Sequence, residues 1–474
     1  MKISNFPVFF KIGWDYTKAM LEDIKRSKNL DIMIIGHDYR RWTDVRPFVF
    51  PLSQHIGAPS VPVVQPGDRV QRGQCIAEAG EGLGSPVYTS VSGTVLEVKD
   101  DAVIVRADDV QPKEYVPLTV QTPLDCIRQA GIVGLGGAGF PTYQKLAVPF
   151  LNGGVVIANA SECEPILNHN IDALEKDCRP MIRGLQLAMD LVHADKGVIA
   201  IKAVHGDAVR ALQQAIADDD RLALHFLPNV YPVGEERAVV REVLGTLLDA
   251  GSLPSKAGAI IINVETLRRV AEAVDDKKPL IDKDVTVAGK LNGPEVQVFH
   301  DLPLGMAVSD VLEKAGGLGK EYGELIMGGP FMGRRTSLDA PIVKTTGGII
   351  ATETFLPGPE KIGLLVCACG ADEKRLREIA ASMGSAVAGV AFCKQAHEVK
   401  PGVRKCDNPG HCPGQVQRVM TLKKEGAQAL LISNCTDCTN TVMACAPQLH
   451  LPVYHCTDGA LRAVHHKLIR RIKA

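Results

Sequence analysis

Gly134-Leu-Gly-Gly-Ala-Gly-Phe-Pro-Thr142 is the stretch on which the reading of this chain turns, and Asn159-Ala-Ser-Glu-Cys-Glu-Pro165 follows it closely. Gly134, Gly136 and Gly139 satisfy the spacing G-x-G-x-x-G. That spacing marks a dinucleotide fingerprint only when a strand precedes it and a helix follows. Here the preceding Leu124-Asp-Cys-Ile-Arg-Gln-Ala130 reads as helical, so the βαβ context fails. The bland reading is a plain turn. The alternative is an anion cradle, because glycines let successive backbone N–H groups converge on one ligand. Phe140-Pro141 gives that turn a rigid exit with a ring available for stacking, and Lys145 supplies a nearby cation.

Working outward, Val155-Val-Ile-Ala158, Gly197-Val-Ile-Ala-Ile201 and Ala259-Ile-Ile-Ile262 are apolar runs that suit buried strands. Helical spacing fills residues 171–192 and 208–217 between them. Residues 120–280 therefore read as an α/β domain with a largely covered sheet. Asn159, Glu162 and Glu164 follow the first run closely, where α/β sheets tend to hold ligands. Tyr231-Pro-Val-Gly-Glu-Glu-Arg237 and Asn263-Val-Glu-Thr266 take comparable positions further on. Each acidic pair alone reads as solvated; their recurrence at matching places points to one site.

The fold class is multidomain α/β. Residues 46–112 carry short β-type runs broken by Pro-Gly-Asp and Ser-Gly-Thr turns, which predicts a β barrel-sandwich hybrid. Residues 281–355 return to β-type segments around one helix at 307–315, with Gly328-Gly-Pro-Phe-Met-Gly333 as a tight turn, so a β-grasp (SLBB-like) module is expected. Leu356-Pro-Gly-Pro-Glu360 links it to a small α/β cysteine-rich domain at residues 360–474. Residues 1–45 form a head with Trp14, Tyr16, Met20 and Leu21 to bury. At 474 residues, such division into several domains is the expected outcome.

Bulk properties exclude some functions. Hydrophobic residues at 46% and charged ones at 23% describe a folded globular chain, and a net charge of −1 gives no electrostatic reason to bind nucleic acid or an anionic membrane. No run approaches the roughly 18 apolar residues of a membrane span. The opening Met-Lys-Ile-Ser-Asn-Phe-Pro meets charge and proline too early for a secretory signal. A cytoplasmic chain with reduced thiols is expected, and there clustered cysteines more often mean metal or redox chemistry than bridges.

The ordered series Gly134-x-Gly-Gly-Ala-Gly-Phe-Pro-Thr-x-x-Lys145, Asn159-Ala-x-Glu-x-Glu-Pro165, Tyr231-x-x-Gly-Glu-Glu236 and Asn263-Val-Glu-Thr266 resembles the FMN- and NADH-binding subunit of respiratory complex I. The sandwich region and the 328–333 turn are closer still to the RnfC component of the Rnf electron-transport complex. The resemblance implies that Gly134, Gly136 and Lys145 hold the FMN phosphate. It places Asn159, Glu162, Tyr231, Gly234 and Glu235 around the flavin, with Asn263 and Thr266 at its other end. Gly137, Phe140, Glu164 and Glu236 match positions near the nicotinamide nucleotide, NAD(H). One departure stands out: Leu135 occupies the place of an arginine in the complex I pattern.

Of the thirteen cysteines, Cys75, Cys126, Cys163 and Cys178 lie in the long N-terminal part and nine crowd between Cys367 and Cys456. The first four read as packing residues, although Cys163 falls near the flavin position. The crowd lacks the ferredoxin spacing C-x2-C-x2-C-x3-C that RnfC proteins usually carry. Leu364-Leu-Val366 and Ala429-Leu-Leu-Ile432 are candidate strands, which sets Cys367, Cys435 and Cys438 at strand ends or in the loops that follow. A helix starting nearby can lower a thiol pKa, so Cys435-Thr-Asp-Cys438 is the leading redox dithiol, with Cys406 and Cys412 beside it in the candidate set.

Three readings of the tail stand open. They are a dithiol relay that exchanges with a partner disulfide, an iron–sulfur cluster on some four of Cys393, Cys406, Cys412, Cys435 and Cys438, and buried cysteines serving as small apolar residues. The tail is similar to the electron-transfer protein associated with D-proline reductase. The whole then implies an electron-transfer flavoprotein passing electrons from NADH through FMN to tail cysteines and on to a reductase such as D-proline reductase. Its rivals are an Rnf-like subunit with a single iron–sulfur cluster and a scaffold without cofactor.

Overall fold

The structure, a computed structural model, describes residues 46–400 and 402–470 of the chain. The head expected at residues 1–45 lies outside the described residues. Strands Phe48–Pro51, Ala102–Ala107, Gly93–Val98 and Arg69–Val70 form one sheet, and Val61–Pro62, Cys75–Glu78 and Val87–Tyr88 form a second. Phe48, Phe50, Ile76, Val95 and Val105 fill the space between them. This is the sandwich that alternating short runs and turn residues predict.

In the next unit the parallel strands run in the order Leu222–Leu227, Lys196–Lys202, Val155–Ala160, Ala259–Asn263. From Val155–Ala160 the chain steps one way to Lys196–Lys202, and the Ala259–Asn263 strand lies on the other flank. The gap between Val155–Ala160 and Ala259–Asn263 is thus a topological switch point, the usual ligand crevice of an open parallel sheet. Asn159 and Asn263 are direct neighbours across it.

Helices Arg179–Val192 and Val264–Asp275 pack together on one face of that sheet. A Cβ added to Gly184 would lie 1.8 Å from the Leu267 carbonyl oxygen, so the two helices meet backbone to backbone. The single helix expected over 171–192 is instead two, His169–Asp177 and Arg179–Val192. Pro180 in the first turn of the second helix explains the break: proline lacks the N–H that continuing the first helix demands and suits a helix start.

A mixed five-stranded sheet follows, in the order Val296–Pro303, Asp282–Gly289, Gly348–Ala351, Leu325–Met327, Arg334–Arg335, with helix Val308–Lys314. An ion network joins it to Val264–Asp275. Arg269 donates to Asp301 at 2.8 Å and to Glu272 at 2.9 Å, Lys283 bonds Glu265, and His300 sits 2.5 Å from Asp172. Burial alone would raise the Asp301 carboxyl; Arg269 and Arg268 overcome it and hold the group at about 2. Its folded pKa lies below the ordinary carboxylate value of about 3.9, so its contribution is whole above that pH and lost as pH falls toward 2. Asp301→Asn, which tolerates the same left-handed backbone (φ 53°), is expected to show a shallower loss of melting temperature between pH 4 and 2 than the wild type.

The last unit is a parallel sheet in the order Ala386–Phe392, Lys361–Val366, Ala429–Ile432, Val453–His455, with a hairpin of Ala396–Lys400 and Val403–Cys406 at its side. Among the described residues no helix is long and apolar enough to cross a membrane.

Candidate functional site

The switch point gathers most of the residues singled out in the sequence. The glycine turn runs between helices Pro123–Gln129 and Thr142–Leu146, pinned by a bridge between Val133 and Pro141. A helix does precede it, as the sequence implied. Leu135 is buried, and its N–H donates to the Thr266 hydroxyl at 3.1 Å. Gly136, Gly137 and Ala138 are exposed, and among the described residues the Gly136 and Ala138 N–H groups meet no protein acceptor.

A Cβ on Gly136 would lie 2.6 Å from Asn263 Nδ2, whereas one on Gly137 would meet nothing within 4 Å. Asn263 is the N-cap of its helix: its Oδ1 accepts from the N–H groups of Glu265 (2.9 Å) and Thr266 (3.4 Å). Asn159 Nδ2 donates to the Gly234 carbonyl at 2.9 Å. A Cβ on Gly234 would strike Ser161 Oγ at 2.2 Å, so this segment, too, needs glycine. Glu235 caps helix Glu236–Leu244 through Arg237 and Ala238 N–H. Two helix N-termini and a bare-amide turn thus converge beside the carboxyl ends of two strands, a cradle whose donors fit an anionic phosphate and a planar ring.

Other predicted contacts are already taken. Lys145, expected at the phosphate, pairs with Glu236 at 2.6 Å and donates to the Ile261 carbonyl at 3.0 Å. Glu162 turns its carboxylate to the Asn170 N–H at 3.3 Å. Glu164 is partly buried, and its two oxygens accept the N–H groups of Phe331 and Met332, each at 2.8 Å. Burial pushes Glu164 up to about 7 against the pull of those two donors. Phe140 stays at the turn, partly buried, its carbonyl accepting from Gly134 N–H.

The 328–333 turn that Glu164 holds carries Phe331 inward. The Phe331 ring lies flat on Tyr231, with centroids 3.7 Å apart and planes 3° from parallel, and meets His455 edge-on at 5.3 Å. Tyr231 and Phe331 belong to the same buried cluster as Cys367, Cys369, Cys393, Cys406, Cys435 and Cys438. Tyr231 and the tail thiols therefore share one apolar interior. The tail grips the same segment by polar bonds. Thr436 Oγ1 donates to the Tyr231 carbonyl at 3.0 Å, Arg237 to the Cys406 carbonyl at 2.6 Å and Arg241 to Asn408 Oδ1 at 2.7 Å.

The thiols assemble for a topological reason. Cys367, Cys393 and Cys456 each come directly after a strand of the last sheet, and Cys435 comes shortly after Ala429–Ile432. The sheet has its own switch point, between Lys361–Val366 and Ala429–Ile432, and Cys367 and Cys435 lie there. Sequence reasoning places Cys438 at a strand end or in a loop; it lies instead in the first turn of helix Thr436–Cys445, and Cys435 is that helix's N-cap. The Sγ atoms of Cys367, Cys393 and Cys438 all lie within 4.8 Å of one another. Cys438 also reaches Cys412 and Cys435, and Cys369 bonds both Cys367 and Cys406.

Thiols packed this way help one another ionise unequally. Hydrogen bonds from Cys369, Cys393 and Cys438 hold Cys367 well below the usual thiol range. Cys438 sulfhydryl donation, opposed by burial, brings Cys412 down to about 6. Cys438 itself, as donor to its neighbours, is pushed up. Cys367 is absent from the candidate ligands that spacing suggests, which is the main correction. The donor set is all thiol and suits a thiophilic metal or an iron–sulfur cluster. Cys75, Cys126 and Cys178 sit apart in the main core, whereas Cys163 packs against the Tyr231 cluster.

Two family patterns match parts of the chain. A family pattern described as the RnfC barrel sandwich hybrid domain matches residues 40–111, and one described as the Nuo51 FMN-binding domain matches residues 127–272. The chain is 34% identical over 323 residues to the C component of the Na(+)-translocating ferredoxin:NAD(+) oxidoreductase complex of Acetobacterium woodii, covering 64% of this chain and 72% of that one. It is 32% identical to the counterpart from the proton-translocating complex of Clostridium ljungdahlii, covering 63% and 69%. The cobalamin reductase PduS of Salmonella typhimurium is 37% identical over 225 residues, 47% of this chain and about half, 48%, of that protein.

Proposed function

The chain belongs to the RnfC family of Rnf complex components, and on that premise we propose that it is an electron-transfer oxidoreductase that accepts electrons from NADH and delivers them through its cysteine-rich tail to a partner reductase. The observation that carries this reading is the shared interior in which Tyr231, Phe331 and the tail thiols meet.

In this reading FMN belongs at the switch point of the α/β domain, residues 120–280, held by Gly134, Gly136, Asn159, Tyr231, Gly234, Asn263 and Thr266. When bound, a flavin takes an electron pair from a nicotinamide and can release it one electron at a time. The protein's part is positional. The free N–H groups of Gly136 and Ala138 offer donors to an anion, and the caps Asn263 and Glu235 fix the two helix ends beside them. Gly137 and Phe140 line the open side for NAD(H). Glu164 and Glu236 join them only on giving up their partners, since one holds the 328–333 turn and the other holds Lys145. Tyr231 and Phe331 exclude water between the cradle and the thiols.

Residues 46–112 serve as the sandwich, 281–355 as an SLBB-like β-grasp module and 360–474 as the redox domain. The acceptor in this reading rests on the tail's resemblance to the electron-transfer protein associated with D-proline reductase. Asn408-Pro-Gly-His-Cys-Pro-Gly414 and Asn434-Cys-Thr-Asp-Cys-Thr-Asn440 favour D-proline reductase, in a cytoplasmic setting. Anaerobic titration of the flavin-loaded full chain with NADH tests the donor. Bleaching of the flavin bands is expected, followed by a rise in thiols open to an alkylating probe or by visible bleaching outside the flavin bands. A flavin left oxidised by excess NADH overturns the nicotinamide assignment.

A further inference from the structure

We propose that the thiol cage is an iron centre ligated by Cys367, Cys393, Cys412 and Cys438, with the buried amide of Gln415 as its hydrogen-bond donor. The first observation is spacing. Sulfur binds a tetrahedral ion at about 2.3 Å, so the sulfurs of one site stand roughly 3.8 Å apart. Cys367, Cys393 and Cys438 have their Sγ atoms within 4.8 Å of one another, near that separation. A disulfide relay needs two sulfurs; this cage presents a third at the same point and a fourth at its rim.

The second observation is Gln415. It is fully buried, and its Nε2 faces Cys393 at 3.2 Å, Cys412 at 3.4 Å and Cys438 at 3.7 Å. One amide thus ties Cys412 to two members of the triad. Protonated thiols are weak acceptors, whereas metal-bound thiolates are good ones, so this geometry suits the ligated form. Among the described residues Gln415 Oε1 has no partner, and Asn434, fully buried next to Cys435, leaves both Nδ2 and Oδ1 without one. Buried amide atoms without partners are costly, and Asn434 Nδ2 is a buried donor with no acceptor next to the thiol cage. Four thiolates fill the tetrahedron of one iron ion. Each ligating thiol gives its proton to solvent as the metal binds.

The choice of iron rests on the electron-transfer reading; the ligand set does not. Gln415 is a positioning residue here. Its N–H groups stabilise the more negative, reduced state, and hydrogen bonds to sulfur are known to set such potentials.

The test uses full-length chain purified without oxygen, in which iron, zinc, acid-labile sulfide and flavin are counted together. Wild type and Cys445→Ser, whose thiol lies outside the cage, are expected to hold iron. Cys367→Ser and Cys438→Ser are expected to lose it at least tenfold while keeping flavin. Gln415→Leu is expected to keep iron but to shift the oxidised-to-reduced ratio at fixed poise about tenfold toward oxidised, about 59 mV for one electron. A folded wild type that carries no metal, or zinc in place of iron, overturns the centre. An unshifted potential in Gln415→Leu overturns the role of the amide. Flavin loss with iron intact would sink the flavin reading and leave this one standing.

Discussion

Gly136→Ala is expected to leave the purified chain without flavin. The added Cβ would stand 2.6 Å from Asn263 Nδ2 and 2.9 Å from its Cγ, well inside van der Waals contact. Asn263 cannot yield cheaply, because its Oδ1 caps helix Val264–Asp275 and loss of such a cap costs about 1 kcal/mol. The turn must move instead, carrying with it the free Gly136 and Ala138 N–H groups. Losing one bond to a charged ligand, at about 1.5–3 kcal/mol, lowers affinity by roughly ten- to 150-fold. Fluorescence titration of the apo protein with FMN reads this directly. Gly137→Ala, whose Cβ would meet nothing, should retain FMN and lose only NADH affinity. Equal FMN binding by Gly136→Ala and wild type would move the flavin site elsewhere.

The cradle is legible in the sequence because its signals are local. Apolar runs announce buried strands, and polar residues at their carboxyl ends mark the crevice that a reversal of strand order opens. Asn159 and Asn263 can thus be picked out without sight of their pairing. What local pattern does not carry is which partner a side chain prefers. Lys145 finds Glu236 from far along the chain, and Glu164 turns to the backbone of Phe331. Both are ordinary charged residues in sequence, and only the packing of a distant unit commits them.

The tail shows the same limit from another side. The strands at 364–366 and 429–432 are readable, and so is the placing of thiols after them. Cys367 still escapes the candidate ligands, because spacing along the chain weights neighbours such as Cys435 and Cys438. A parallel sheet brings together the residues that follow each strand, however far apart they lie in sequence. Phe331 and Gln415 escape for a related reason. One lies in a motif whose glycines read simply as a turn, and the other is a lone glutamine with no pattern around it.

Glu164→Gln should uncouple the two halves of the site. A carboxylate offers acceptors on both oxygens, which the Phe331 and Met332 N–H groups use at 2.8 Å each. The amide has one acceptor and one donor, so one backbone N–H would face an NH2 group. The 328–333 turn then loosens, and Phe331 loses its fixed place 3.7 Å over Tyr231. Stopped-flow reduction is expected to show normal flavin bleaching by NADH and a tenfold or slower passage to the tail. The pH response separates this clamp from a catalytic acid. The folded pKa of about 7 lies above the ordinary value for a glutamate, so the native state holds the proton more tightly than the unfolded chain does. Its stabilising effect is whole below about pH 4.3 and fades as pH rises through 7. Between pH 5 and 8 the wild type should lose more melting temperature than Glu164→Gln, in which no proton leaves this position. Parallel slopes in the two proteins would mean that Glu164 is ionised throughout, and the proton-linked part of this account would fail.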